Sequence, residues 1–168
     1  DRREDMEIKY VPIDSVKPDL GQPRKIFDEA HIQGLAESLK IEGMINPIEV
    51  DENLVIITGE CRWRAAKLNV WTEVPVNMNA KHLPEYERFR RQMAENLHQS
   101  AAGGSSPMNA VDVAKGYARL IKMRTGKDCQ PGLLSRQEIY GLMKDIPQEL
   151  GVSKQTVYEY LKLLSEPE

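Results

Sequence analysis

The stretch Thr58-Gly59-Glu60-Cys61-Arg62-Trp63-Arg64-Ala65-Ala66 carries the densest chemistry of the chain, between a strand-like run, Leu54 to Ile57, and a short helix-like run, Arg62 to Leu68. A glycine that turns a strand into a helix leaves backbone N–H groups at the positive helix end, and the arginines that follow add guanidinium forks. This is the chemistry of an anion site, and a phosphate is its natural guest. The same residues also allow a plain helix start, with Arg62 and Arg64 as solvated charges and Trp63 and Ala66 packed inward. Cys61 lies at the helix start beside both arginines, where a thiolate is favoured, so the turn also admits a redox reading.

A second chemical surface lies near the end of the sequence, where Gly151-Val152-Ser153 leads into the run Lys154 to Leu164. A glycine in a tight turn, an N-cap serine and inward Val157, Leu161 and Leu164 make a helix-turn-helix pattern. Ser153, Lys154, Gln155, Thr156 and Tyr158 then face outward as partners for phosphates and base edges. Glu159 places a negative charge on the same helix, and helix pairs joined at a glycine also occur in all-α domains that never meet DNA.

The elements that must position these residues are legible from pattern. Lys9 to Ile13 is β-prone and broken by Pro12, which suits an edge strand. After the proline-rich turn Lys17 to Arg24, Asp28 caps a helix whose Ile32, Leu35, Ala36 and Leu39 share one face, and Gly43 closes it. Ile45 to Val50 and Leu54 to Ile57 read as a hairpin about the three-residue loop Asp51-Glu52-Asn53, and Val74 to Met78 reads as a third good strand. From about Leu83 the pattern becomes helical, with one helix ending near Leu97 and another carrying Val111, Ala114, Tyr117, Ala118 and Ile121. Ser100 to Pro107 reads as a flexible loop, and Arg136 to Lys144 and Pro147 to Leu150 as short helices. The expected division is a small α/β domain over 1–82, to which the resemblance given below adds nucleotide binding, a helical connector over 83–130 with its loop at 100–107, and the start of a helix-turn-helix domain over 131–168.

Composition narrows the class. At 168 residues, with 40% hydrophobic and 29% charged residues, the chain is ordinary for a globular protein. A net charge of -3 argues against coating nucleic acid by bulk electrostatics, although one basic face on a small module still suffices. No apolar run approaches the roughly 20 residues of a membrane span and none resembles a signal peptide, so the expected compartment is the cytoplasm. Cys61 and Cys129 are far apart without ligand spacing, and His31, His82 and His98 have none either, which points away from a disulfide framework or a zinc site. Trp63 and Trp71 are expected as core anchors. The first residue is not methionine, and the last lies just past a helical pattern, so the sequence reads as a fragment of a longer protein.

Three stretches, in order, resemble the amino-terminal part of ParB-type chromosome and plasmid partition proteins. They are Gln22-Pro23-Arg24-Lys25-Ile26-Phe27-Asp28 with Gly43-Met44-Ile45-Asn46-Pro47-Ile48-Glu49-Val50, then Gly59-Glu60-Cys61-Arg62-Trp63-Arg64-Ala65, then Glu95-Asn96-Leu97-His98-Gln99, with the helix-turn-helix after them. The resemblance implies an α+β chain, a small mixed-sheet ParB/sulfiredoxin-like domain followed by an all-α helix-turn-helix region. It also implies a CTP-dependent clamp on a centromere-like DNA site that binds CTP with magnesium and hydrolyses it slowly. Its implied partners are a ParA-type ATPase and a second copy of the chain, joined through regions partly outside this fragment, and its implied location is the nucleoid or a plasmid. On that likeness Thr58, Gly59, Glu60, Arg62 and Arg64, with Glu95 and Asn96, would bind nucleotide. Glu95 and Asn96 would supply hard oxygens to magnesium, and Gln22 would orient the attacking water.

Two departures bear on that implication. Cys61 stands where the family usually has a second arginine after Gly-Glu, and Gln99 where an arginine usually closes the Glu-Asn motif. Each missing guanidinium removes a charge-assisted contact worth roughly 1.5–3 kcal/mol. The alternatives are a DNA-binding adaptor of the same fold without nucleotide binding, and a phosphotransferase or sulfiredoxin-like enzyme on that fold. Sulfiredoxins place their reactive cysteine in a Gly-Gly-Cys-His-Arg turn at the matching position, whereas this chain has Glu60 and Arg62 there, and a helix-turn-helix that such repair would leave without a role.

Overall fold

A computed structural model describes residues 7–78, 83–101 and 107–165 of the chain, which divide into two compact units. The first unit takes in 1–21 and 27–84, and the second 22–26 and 85–168. The short segment 22–26 therefore belongs to the second unit although both of its flanks belong to the first.

Among the described residues the first unit is a four-stranded mixed sheet with two α-helices and a short 3-10 helix at Ile13–Ser15. Its strands are β1 (Ile8–Pro12), β2 (Ile48–Val50), β3 (Ile56–Thr58) and β4 (Glu73–Met78), in the order β1-β4-β2-β3. β1 is an edge strand, as its proline leads one to expect, and runs antiparallel to β4 with Tyr10 opposite Pro75. β4 is central despite Pro75, and its parallel ladder with β2 begins one residue later, at Ile48 opposite Val76. The hairpin of β2 and β3 is antiparallel, but its loop is shifted by one residue from the expected position. Asp51 N–H donates to Val55 O and Leu54 N–H to Asp51 O, so Glu52-Asn53-Leu54 forms the loop, with Leu54 at φ 59 in the left-handed position of a bulged three-residue turn. Ile45, expected in the strand, lies outside it and is exposed.

Helix α1 (Glu29–Glu42) is capped as its sequence requires, with the Asp28 carboxylate accepting from Ala30 N–H and Gly43 ending it. Ile32, Ala36 and Leu39 are buried and Leu35 is half-buried. α1 packs on α2 (Glu60–Leu68), and the Asn69 side chain ties the end of α2 to Ala36 O at 2.8 Å. Trp63 is an anchor of this core, with its indole N–H on Ile13 O at 3.2 Å, and Trp71 packs at the core's margin.

The second unit is helical: α3 (Glu85–Ala101), α4 (Ala110–Thr125), α5 (Arg136–Met143), α6 (Ile146–Glu149) and α7 (Lys154–Lys162). α3 runs four residues past Leu97, so Ser100 and Ala101 are helical rather than loop, and 102–106 of the expected hinge lie outside the described residues. Val111, expected on the inner face of α4, is exposed, while Val113, Ala114, Tyr117, Leu120 and Ile121 are buried. α3 and α4 share one core with α5 to α7, built on Met93, Tyr117, Leu120, Ile139, Met143, Val157 and Leu161. The α3–α4 packing is close at Gly116, where a Cβ would stand 2.3 Å from Met93 Sδ.

Candidate functional site

The glycine turn of the first unit has the backbone that its sequence demands. β3 ends at Thr58, and Gly59 at φ 102 and ψ 22 reverses the chain into α2, a conformation that side-chain-bearing residues rarely take. Its carbonyl accepts from Trp63 N–H at 3.0 Å, which starts the helix and points the earlier N–H groups ahead of it. Arg62 folds back over the turn. Its Nη1 donates to Pro47 O at 2.8 Å and to Asn46 O, and its Nη2 lies 2.9 Å from where a Cβ on residue 59 would stand. Only a glycine admits that guanidinium so close to the backbone.

Glu60 is buried, at 7% exposure, and its carboxylate accepts from Arg64 Nε at 3.2 Å and Nη2 at 3.0 Å. The Arg64 guanidinium in turn lies 3.9 Å over the Phe27 ring. Glu60 thus orients Arg64, and as an anion in the turn it opposes a phosphate directly at its own position. The Thr58 hydroxyl donates to Glu49 at 3.3 Å, and Cys61 is half-buried in the first turn of α2. The structure therefore gathers Thr58, Gly59, Glu60, Arg62 and Arg64 into one turn of the first unit.

Gln22, Glu95 and Asn96 fall in the second unit. Gln22 is half-buried in the segment 22–26. Arg24, two residues on, is only 4% exposed, and its Nε donates to Asn96 Oδ1 at 2.8 Å, while Asn96 Nδ2 donates to Gln92 O at 2.7 Å. Lys25 N–H reaches Asp112 at 3.4 Å. For a magnesium ion the fit is divided. Glu95, half-buried on α3, offers a hard carboxylate. The oxygen of Asn96 faces a guanidinium, which disfavours a second cation there. Among the described residues no cluster of three or more His, Cys, Asp or Glu side chains could hold a metal. Pattern reading missed the part of Arg24, because an arginine in a proline-framed turn looks solvated until its burial is known.

The helix-turn-helix surface is preformed. Gly151 has φ 70, Val152 N–H donates to Pro147 O at 2.9 Å, and the Ser153 hydroxyl accepts from Thr156 N–H at 3.0 Å. Val157 and Leu161 are fully buried and Leu164 half-buried, so Ser153, Lys154, Gln155 and Thr156 are exposed on the opposite face. Tyr158 is half-buried, its ring edge-on to Tyr140 at 5.8 Å. Glu159 is paired with Lys162, which offsets the negative charge that counted against DNA.

In the same unit an ion-pair clasp joins α3, α4 and α6. Tyr86 OH donates to Glu149 at 2.7 Å, and Arg124 pairs with the other Glu149 oxygen at 2.8 Å and lies over the Tyr86 ring. Burial works against the Glu149 charge, but the hydrogen bonds from Tyr86 and Arg124 outweigh it and hold the carboxyl below its ordinary value. Burial, with the Glu149 hydrogen bond, pushes the Tyr86 phenol up. Burial likewise pushes the Cys129 thiol up to about 11, which leaves it inert.

Residues 1–97 match the family model of the ParB N-terminal domain. The chain belongs to the ParB family. Among its curated relatives, the nucleoid occlusion protein of Geobacillus kaustophilus is 31% identical over 173 residues, covering 100% of this chain and 53% of that protein. That of Bacillus cereus (strain AH187) is 32% identical over 167 residues, covering 96% of this chain and 49% of the relative. This ParB-family chain thus spans about half the length of the curated relatives it matches. Among solved structures, the C-terminally truncated chromosome-partitioning protein ParB from Caulobacter crescentus, complexed to the centromeric parS site, aligns with a TM-score of 0.61 at 22% identity, over 95% of this chain and 73% of that one. The same protein complexed with CTP-gamma-S aligns at 0.51, also at 22% identity, over 96% and 81%. These likenesses support the α+β fold. No helix among the described residues is long and apolar enough to cross a membrane.

Proposed function

We propose that this ParB-family chain is the nucleotide- and DNA-binding part of a partition or nucleoid occlusion protein, acting as a CTP-responsive clamp on a centromere-like DNA site. The observation that carries the reading is that one chain holds both an arginine-covered glycine turn suited to phosphate and a helix-turn-helix with its reading residues in solvent. Relatives named as nucleoid occlusion proteins, and a ParB complexed with CTP-gamma-S, support it.

In this proposal the N–H groups at the start of α2 and the Arg62 guanidinium take the phosphates, Arg64 adds charge, and Glu60 keeps Arg64 in place. Magnesium, when bound with the triphosphate, would neutralise phosphate charge, with Glu95 as the better protein ligand and Asn96 held by Arg24 beside it. Gln22 is the candidate for orienting water, which makes slow CTP hydrolysis part of the proposal. A ParA-type ATPase and a second copy of the chain are its proposed partners, at the nucleoid or on a plasmid.

An adaptor that has lost the nucleotide is the competing reading, because Cys61 and Gln99 each stand where a guanidinium is expected. Turnover separates the readings. A clamp releases phosphate slowly from CTP, faster with DNA, and Gln22→Ala stops it. No turnover with any nucleotide, together with intact DNA binding, supports the adaptor, and transfer of phosphate to a second substrate would contradict both.

A further inference from the structure

Among the described residues, the arginines that meet aromatic rings are, with one exception, also tied to carboxylates. Arg64 pairs with Glu60, Arg119 with Glu85 and Arg124 with Glu149. Arg136, the first residue of α5, differs. Its guanidinium carbon lies 5.1 Å from the Tyr140 ring centre and 5.3 Å from that of Tyr158, and its Nη2 donates to the Tyr140 hydroxyl at 2.8 Å. Among the described residues no carboxylate pairs with it. The nearby acids are already engaged, since Glu138 accepts from Ser135 in the capping box of α5 and Glu159 pairs with Lys162. Arg136 is thus an exposed cation held in place by two rings, with no ion pair among the described residues, although the Glu159 carboxylate acts on it at longer range.

Its place in the fold gives that charge a use. Tyr158 is on α7, so the stack ties the start of α5 to the helix that carries the reading residues. Lys154, the first residue of α7, reaches the carbonyl of Tyr140 at 3.5 Å, so two cations bracket one tyrosine, at its hydroxyl and at its backbone. A guanidinium pre-ordered by stacking loses little freedom when it meets a planar array of oxygens. A phosphodiester beside the groove entered by α7 supplies those oxygens.

We propose that Arg136, clamped by Tyr140 and Tyr158, contacts a backbone phosphate of duplex DNA and, with Lys154, fixes how α7 sits on the duplex. This rests on the helix-turn-helix reading made above. Arg136 adds position rather than sequence discrimination, so its loss weakens binding alike on all sequences.

The test is fluorescence anisotropy of the whole chain with a mixed-sequence duplex of about 30 bp between about 20 and 150 mM salt, for the wild type, Arg136→Ala, Arg136→Gln, Tyr140→Phe and Lys154→Ala, with a melting curve for each. Arg136→Ala and Arg136→Gln should each weaken binding about 5–10-fold at low salt and reduce the slope of log affinity against log salt by about one, without lowering the melting temperature. Tyr140→Phe keeps the ring but not the hydroxyl, and should weaken binding by a smaller factor with the slope unchanged. If Lys154→Ala reduces affinity and slope but neither Arg136 variant changes the slope, the Arg136 contact is refuted and the helix-turn-helix reading stands. If the wild type does not bind the duplex, or Lys154→Ala leaves binding unchanged, the helix-turn-helix reading falls and this proposal with it.

Discussion

Gly59 and Gly151 both lead the chain into a helix at positive φ, 102 and 70, yet the surfaces they prepare differ. At Gly59 the charged groups turn onto the protein: Arg62 onto the carbonyls of Asn46 and Pro47, and the buried Glu60 carboxylate onto the exposed Arg64. Past Gly151 the residues Ser153, Lys154, Gln155 and Thr156 are all exposed over a closed core, with Lys154 reaching the Tyr140 carbonyl at 3.5 Å. A preformed exposed surface suits a large rigid partner such as a duplex. A turn whose arginine is held by backbone carbonyls suits a small anion that would exchange places with those contacts.

The strongest way to break the contrast is to damage one unit and read both. Leu161→Ala removes a fully buried side chain below α7 and should cost about 2–5 kcal/mol in the second unit, measured by denaturant unfolding. DNA binding should fall with it while nucleotide binding at Gly59 persists. Gly59→Ala acts on the other unit. The added Cβ meets Arg62 Nη2 at 2.9 Å in a backbone conformation unfavourable to alanine, so a cost of about 1–3 kcal/mol and loss of nucleotide binding are expected, with DNA affinity retained.

The clasp gives a smaller effect with a defined pH window. Because the Glu149 carboxyl is lowered in the folded state, its contribution is complete above the ordinary value of 4.5 and is lost as the pH falls below that, through the native value. Glu149→Gln should therefore cost on the order of 1 kcal/mol at neutral pH and much less at the acid end, as thermal melts across pH will read. The smallest effect is at Tyr117, whose buried hydroxyl has no hydrogen-bond partner among the described residues and whose phenol burial pushes up to about 12. Tyr117→Phe should change stability by less than about 1 kcal/mol, in the stabilising direction, because it removes an unsatisfied group and keeps the ring.

Much of the fold was legible because its signals are local. The Asp28 cap, the Ile32-Ala36-Leu39 stripe, the glycine between β3 and α2, and the Gly151-Val152-Ser153 turn each carry their geometry in adjacent residues. The turn chemistry of the β2–β3 hairpin was less so, since Leu54 takes a left-handed position that its side chain would not advertise. α3 extends past its expected end because Ser100 and Ala101 do not stop a helix already in progress. At the candidate site, Gly59, Arg62 and Arg64 could be named from spacing alone. The burial of Arg24 on Asn96 across 72 positions could not, because a long-range pairing of charged and polar side chains leaves no periodicity in the sequence.

The central claim is that the turn at Gly59 binds a nucleoside triphosphate through Arg62. Calorimetric titration of the chain with CTP, ATP and GTP in magnesium, repeated on Arg62→Ala, tests it most directly. Heat with CTP in preference to the other two, abolished in Arg62→Ala, is the expected result. No heat with any nucleotide, or binding that survives Arg62→Ala unchanged, would contradict it.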